Sequence, residues 1–342
     1  MVLRAPQRIL FLELNANPRV GTVLMSYELS IIIVNWNGGN LLMRCVETIV
    51  NSAPKASYEI VVIDNASADD SLAQLRRSEV ATPLIASEQL RIFNNSENRG
   101  FGAANNQAFA LTNSPFVFLL NLDTEVPAGT IDKLLDRLKS DSTIGACGPK
   151  ILNPDGSLQV SVYFNPPRVW HTVLSQLWLY RLLPRRIRGE LLLGGHWNHD
   201  RERCVPMLSG AAFMARREMI EDVGGFDERF HMYAEDNEWC WRITKSDWRL
   251  MFVPEAVVVH YGAQSSSKRW SHNERLRIRL AAGFNFEHYV LPRWELAANQ
   301  LANYLVVTLQ IGARKLLGIK QPELQVIREM HREHLKRALT NH

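Results

Sequence analysis

Residues 116–125, FVFLLNLDTE, decide the fold. The first five, Phe116 to Leu120, are apolar or aromatic without alternation, the pattern of a strand covered on both faces. In open parallel α/β sheets, ligands bind beyond the C-terminal ends of such strands. Here that end carries Asp123, Thr124 and Glu125. Two carboxylates one residue apart at a strand tip suit Mg²⁺ or Mn²⁺, which prefer oxygen ligands and keep phosphate oxygens in their shell. The same residues also suit an acidic turn before Pro127 that opens a helix, with Glu125 at its cap.

Upstream, the pattern repeats three times. Residues 29–34, LSIIIV, read as a buried strand ending in the polar turn Asn35-Trp36-Asn37-Gly38-Gly39, and residues 41–50 follow at helical spacing. Residues 59–63 form a second strand tipped by Asp64 and Asn65, before a helix at 71–77. Asp64 and Asn65 suit contact with a nucleobase or ribose, or equally a helix cap at Ser67 or Asp69. Asn35 and Asn37 join the candidate donor-binding residues as polar groups at a strand tip. Residues 90–93 are a third strand, followed by Asn98-Arg99-Gly100-Phe101-Gly102. Glycines at a helix start let backbone N–H groups approach a phosphate, and Arg99 can add a charged contact. Gly100-x-Gly102 also mimics a dinucleotide fingerprint, with Asp123 about 20 residues on, but the third small position is Asn105. Strand and helix alternate, which predicts an α/β domain with a mostly parallel, Rossmann-like sheet and right-handed crossovers.

Downstream, a helix is expected at 128–139, a strand at 144–152 broken at Gly148-Pro149, a turn at 153–156 and a returning hairpin strand at 157–163. Residues 173–183, VLSQLWLYRLL, are apolar nearly all round and precede Pro184-Arg185-Arg186-Ile187-Arg188. That suits a helix lying on an anionic membrane surface, or one packed on the core. Residues 205–208 and 211–215 read as a strand kinked at Ser209-Gly210. A short helix at 217–223 stops at Gly224-Gly225. Residues 236–246 read as a helix whose first turn gathers Glu235, Asp236 and Glu238. These acids complement the helix dipole, or one of them is a general base. Strands at 249–253 and 257–260 follow, and His260 at a strand end suits a metal ligand, a phosphate contact or a structural role. After Ser267 the chain is helical, and from Pro322 acids and bases alternate as on a solvated helix.

Bulk properties narrow the class. The chain has 342 residues, 46% of them hydrophobic, enough for one large core with appendages or for two domains. A net charge of +4, without basic runs or zinc-finger spacing, argues against a nucleic-acid partner. Cys45, Cys147, Cys204 and Cys240 form no CxxC, as expected of free thiols in a reducing compartment. His196, His199 and Cys204 match no zinc spacing. Residues 296–313 carry Asn299, Gln300, Asn303 and Gln310, too polar for a membrane span. Residues 1–27 show only a weak element at 9–14, no secretory leader, and an alternative start at Met25.

Taken together, SIIIVNWNG, VVIDNASADDS, ENRGFGAANN, FLLNLDTEV, LSGAAFMARRE, GGFDERFHMYAEDNEWCWR and FVPEAVVVHYG resemble, in order, the family 2 glycosyltransferases of GT-A fold, particularly their rhamnosyltransferase-like bacterial group. The resemblance covers about residues 28–265, with 165–203 as an insert facing membrane or acceptor. It leaves 1–27 and a helical extension at 266–342 outside. It implies that Asp123 and Glu125 hold a divalent cation on the donor diphosphate, with His260 near the metal. Asp64 and Asn65 would contact the base of a dTDP- or UDP-sugar, and Asp236, beside Glu235, would activate the acceptor. Glu125 and Asn65 depart from the Asp found in many relatives. The QxxRW motif of polymer-making members is missing, which favours single-sugar transfer. The expected acceptor is a glycan or lipid-linked saccharide, and the expected location is the cytoplasmic face of the plasma membrane. The competing readings are an oxidoreductase built on Gly100-x-Gly102 and a non-catalytic sugar-nucleotide-binding subunit of a polysaccharide assembly complex.

Overall fold

The structure, a computed structural model, describes residues 27–164, 166–230, 232–262, 270–319 and 321–340. The expectations for 9–14, for Met25 and for Ser267 fall outside these residues. Ten strands form one sheet: β1 (Leu29–Asn35), β2 (Tyr58–Asp64), β3 (Leu90–Asn94), β4 (Phe116–Asn121), β5 (Thr124–Glu125), β6 (Ile144–Leu152), β7 (Leu158–Gln159), β8 (Arg203–Cys204), β9 (Ala212–Arg216) and β10 (Arg249–His260). The order is β3-β2-β1-β4-β9-β6-β10-β5, with β7 beside β6 and β8 beside β10. β3, β2, β1 and β4 are mutually parallel. β9 runs antiparallel between β4 and β6, and β10 returns parallel to β6. The sheet is therefore mixed, with its longest strands all pointing one way.

Period-two geometry sorts each central strand into two cores. Ile31, Ile33, Val62, Phe118 and Leu120 pack with Leu42, Val46 and Ile49 of the helix Asn40–Asn51. Ile32, Val61, Val117 and Leu119 face Ala104, Ala108, Phe226 and Trp239 on the other side. That is why the run at 116–120 is apolar without alternation.

Several local expectations change. β6 is not broken at Gly148-Pro149: Pro149 stays in register with Val253 of β10, just before the register shift there, and lies beyond the last pair with β9 and before the first with β7. The strands expected at 249–253 and 257–260 are one strand, β10, with a register shift between Val253 and Val257. Residues 205–208 are not a strand, and only Leu158–Gln159 of the expected 157–163 hairpin pairs with β6. The apolar stretch 173–183 is not one helix. The helix Val169–Gln176 ends, Trp178 takes a positive φ of 57°, and a 3₁₀ turn Leu179–Leu182 leads to a second helix, Arg185–Leu192.

Three helices close the chain, His272–Val290, Arg293–Leu316 and Pro322–Leu339, around Phe284, Leu291, Leu296 and Ala338. The middle one is tied to the insert. Arg168 forms an ion pair with Glu295, Asn299 donates to the Pro167 carbonyl at 2.9 Å, and Gln176 donates to Asn303 at 2.7 Å. Among the described residues, no helix is long and apolar enough to cross a membrane.

Candidate active site

A cavity of about 1480 Å³ opens beyond the C-terminal ends of β1 and β4. Its walls include Asn65, Gly100, Asn121 and Asp123 from the sheet side, Glu235 and Asp236 from the helix Glu235–Lys245, and Arg279, His288 and Tyr289 from the helix His272–Val290.

β4 ends at Asn121, whose carbonyl accepts from the Thr124 hydroxyl at 2.7 Å, so the chain turns sharply and presents Asp123. β5 pairs with the end of β10, His260 opposite Thr124, and the Tyr261 N–H donates to the Asp123 carbonyl at 2.9 Å. His260 Nε2 therefore lies 3.1 Å from Asp123 Oδ1. Gln159 fixes the imidazole tautomer. Its Nε2 donates to Asn153 and to the His260 carbonyl, which leaves Oε1 to accept from His260 Nδ1 at 2.6 Å. Nε2 also lies 3.2 Å from the Asn121 amide nitrogen. At this separation from the carboxylate a positive charge belongs between the two groups, either a proton on the ring or a cation that takes the place of the Asn121 contact. Cis ligands of an octahedral cation with bonds near 2.1 Å are about 3 Å apart. Asp123 and His260 thus fit a divalent cation.

Glu125 is turned elsewhere. Its carboxylate forms an ion pair with Arg44 and accepts from the Tyr261 hydroxyl at 2.8 Å, and it does not line the cavity. Among the described residues there is no cluster of three His, Cys, Asp or Glu side chains. A cation here would take two protein ligands and complete its shell from a substrate's phosphate oxygens, as Mg²⁺ commonly does.

Asn35, Asn37 and Asp64 are occupied in joining two strand-tip loops. Asp64 accepts from the Asn35 amide at 2.7 Å and from the Ser67 N–H at 3.0 Å, and Asn37 accepts from the Ala68 N–H at 2.8 Å. None of the three lines the cavity; nor does the exposed Arg99. Asn65 does, held by a donation to the Gly100 carbonyl at 3.1 Å and one accepted from Asn95 at 2.9 Å. The Gly100 N–H is spent on the Asn98 side chain at 2.9 Å. Gly102 serves packing: a Cβ there would stand 3.0 Å from that of Phe226.

Another part of the wall is the N-terminus of the helix Glu235–Lys245. Tyr233 and Ala234 enter it with φ of 59° and 74°, left-handed conformations unusual outside glycine and typical of functional turns. Asp236 accepts from the Gly210 N–H at 3.1 Å and from the Asn237 N–H at 2.9 Å, which fix its carboxylate toward the cavity. Glu235 Oε2 is buried without a hydrogen-bond partner. Burial raises both carboxyl groups above the ordinary range, and the charge of Asp236 raises Glu235 further. Glu238 is no base candidate. Arg242 binds both of its oxygens, at 2.7 and 2.9 Å, and also holds the Val223 and Gly225 carbonyls.

Sequence reasoning missed Asn121, Gly210 and the wall from His272–Val290. Asn121 was visible as the polar residue closing an apolar run, and Gly210 only as the kink at Ser209-Gly210; nothing local marked the helix wall.

The fold is the GT-A type of glycosyltransferases. Among solved structures, the chain is similar to a mannosyltransferase from Pyrobaculum calidifontis, with a TM-score of 0.53, 18% identity and 92% of this chain and 87% of that one covered. It is similar to GalNAc-T7, with a TM-score of 0.55, 17% identity and 92% and 56% covered. Residues 30–224 match the sequence model of "Glycosyl transferase family 2", and residues 159–318 that of "Glycosyl transferase family group 2". The chain is 30% identical over 261 residues to the N-acetylglucosaminyl-diphospho-decaprenol L-rhamnosyltransferase of Mycobacterium tuberculosis, covering 71% of this chain and 79% of that one. It is 25% identical over 243 residues to the O-antigen biosynthesis protein RfbC of Myxococcus xanthus, covering 71% and 18%. The chain belongs to glycosyl transferase family 2.

Proposed function

We propose that this glycosyltransferase moves one sugar, with inversion, from a nucleoside-diphosphate sugar to a hydroxyl of a lipid-linked saccharide during cell-surface polysaccharide synthesis. The observation that carries the reading is that Asp123 with His260, and Asp236 with Glu235, line one cavity. The mannosyltransferase neighbour is described in complex with GDP-Man and Mn²⁺, and GalNAc-T7 with UDP, GalNAc and Mn²⁺. The mycobacterial relative is named for a diphospho-decaprenol acceptor and L-rhamnose.

In this reading Asp123 and His260 hold Mg²⁺ or Mn²⁺, which supplies charge stabilisation for the departing diphosphate. Asn65 contacts the nucleoside of a dTDP- or UDP-sugar. Asp64, Asn35 and Asn37 act indirectly, by shaping the loop that carries Asn65, and Glu125 acts through Tyr261 and Arg44. Asp236 takes the proton from the acceptor hydroxyl, whose oxygen bonds to the anomeric carbon as the bond to the diphosphate oxygen breaks. The Gly210 and Asn237 N–H groups keep that carboxylate aimed. The exposed Trp178, Leu179 and Leu182 beside Arg181 support peripheral contact of the insert with the membrane that holds the acceptor.

The test pairs two variants across a screen of dTDP-, UDP- and GDP-sugars. Asp236→Asn should cut release of nucleoside diphosphate on acceptor addition by roughly 10²-fold or more while leaving calorimetric donor affinity unchanged. Asp123→Ala should lose the metal-dependent part of donor binding. Transfer by Asp236→Asn at the wild-type rate would refute the base.

A further inference from the structure

The helix Arg293–Leu316 is apolar on its outer side as well as on its inner one. Its protein-facing side mixes the buried Leu296, Val306 and Val307 with Glu295, Asn299 and Gln300, and Asn303 and Gln310 bond to the insert. Its outer side carries Trp294, Leu301, Leu305, Leu309 and Leu316, exposed by 72%, 44%, 50%, 63% and 90%. Spacings of seven, four, four and seven residues put these five on one face. The stripe is about 33 Å long at 1.5 Å per residue. Leu317 and Ile319, 73% and 49% exposed, continue the apolar surface past the helix end. A globular helix normally leaves its outer side polar, so this face calls for an apolar partner.

Charge identifies the partner. Between Glu295 and Glu323 the sequence holds no acidic residue, and Lys315 stands beside Leu316 at the edge of the stripe, while Arg314 falls on the side of Asn303 and Gln310. Two copies meeting through this face would find no acidic partner for Lys315, since residues 296–322 hold none. An anionic bilayer complements the same surface, with leucines entering the acyl boundary and Lys315 meeting headgroups. We infer that the outer face of Arg293–Leu316 docks the protein on an anionic lipid bilayer, lying in its plane. This helix, rather than the insert alone, is the main docking element. The inference does not depend on glycosyl transfer, because binding is measured without donor or acceptor.

The experiment is co-sedimentation of the full chain with vesicles of phosphatidylglycerol and phosphatidylcholine, and with phosphatidylcholine alone. Wild type should bind the anionic vesicles preferentially. Leu305→Asp with Leu309→Asp should lower the partition coefficient roughly tenfold or more at unchanged helicity and melting temperature. If that pair misfolds, Leu305→Gln with Leu309→Gln carries the test, with the same direction expected. Lys315→Glu should reduce binding to anionic vesicles selectively. The inference is overturned if wild type ignores anionic vesicles, if folded stripe variants bind like wild type, or if only Leu182→Asp matters. It is equally overturned if sedimentation velocity finds a dimer that the stripe variants dissociate while vesicle binding is missing.

Discussion

At the scale of single residues, Glu235 and Asp236 set the pH response. Both carboxyls are raised, by burial first, and the orphaned oxygen of Glu235 means that few donors offset that cost. A base works only when ionised, so transfer should fall, as pH drops, above the range of an ordinary aspartate. The charge of Asp236 raises Glu235, so Asp236→Asn should move the Glu235 titration to lower pH, read by NMR of its side-chain carboxyl carbon. An unmoved titration would mean that the two groups are not coupled. The carboxylates and the histidine could be picked out by eye because each stands where a regular element ends. The fate of Glu125 could not, since its partner Arg44 arrives from the helix Asn40–Asn51, and sequence carries no sign of which acid a distant cation will claim.

At the scale of elements, Asn106 joins Arg242 in holding the segment before the helix Glu235–Lys245. Asn106 accepts from the Phe226 N–H at 2.8 Å and donates to the Phe226 carbonyl at 2.9 Å, imitating a strand partner. A Cβ on Gly225 would meet its Oδ1 at 2.3 Å. Asn106→Ala should cost about 1–3 kcal/mol by leaving both backbone groups unpaired. Gly225→Ala should cost stability in the same direction, both read from urea denaturation midpoints. Strands with uninterrupted apolar runs were legible, and so were helices with a clear apolar stripe. Elements whose ends depend on a neighbour were not. Pro149 argued for a break until β7 and β9 left a gap for it, and 173–183 argued for one helix until Trp178 turned the chain.

At the scale of the whole molecule, the C-terminal layer couples stability to pH. Burial pushes His331 and His334 down to about 4 and Glu287 up to about 7. As pH falls from the ordinary histidine value of 6.5 toward 4.5, the unfolded chain takes up two protons on the histidines that the native state refuses. The native state takes up one on Glu287 that the unfolded chain refuses. The net of one proton makes these groups cost about 1.4 kcal/mol of stability per pH unit on acidification. Glu287→Gln removes the opposing proton, so thermal melts across that range should fall about twice as steeply. The direction of β9, the sheet order and the cavity wall from His272–Val290 were illegible because each is a pairing between distant segments. The seam between the insert and Arg293–Leu316 is largely made of carboxamides, Gln176 with Asn303 and Gln310, and Asn299 with a carbonyl. Neutral amides neither titrate nor respond to counterions, and their directional bonds admit one register. Beside a charged lipid surface, where local proton and salt concentrations depart from bulk, that joint would keep its alignment while ion pairs around it loosen.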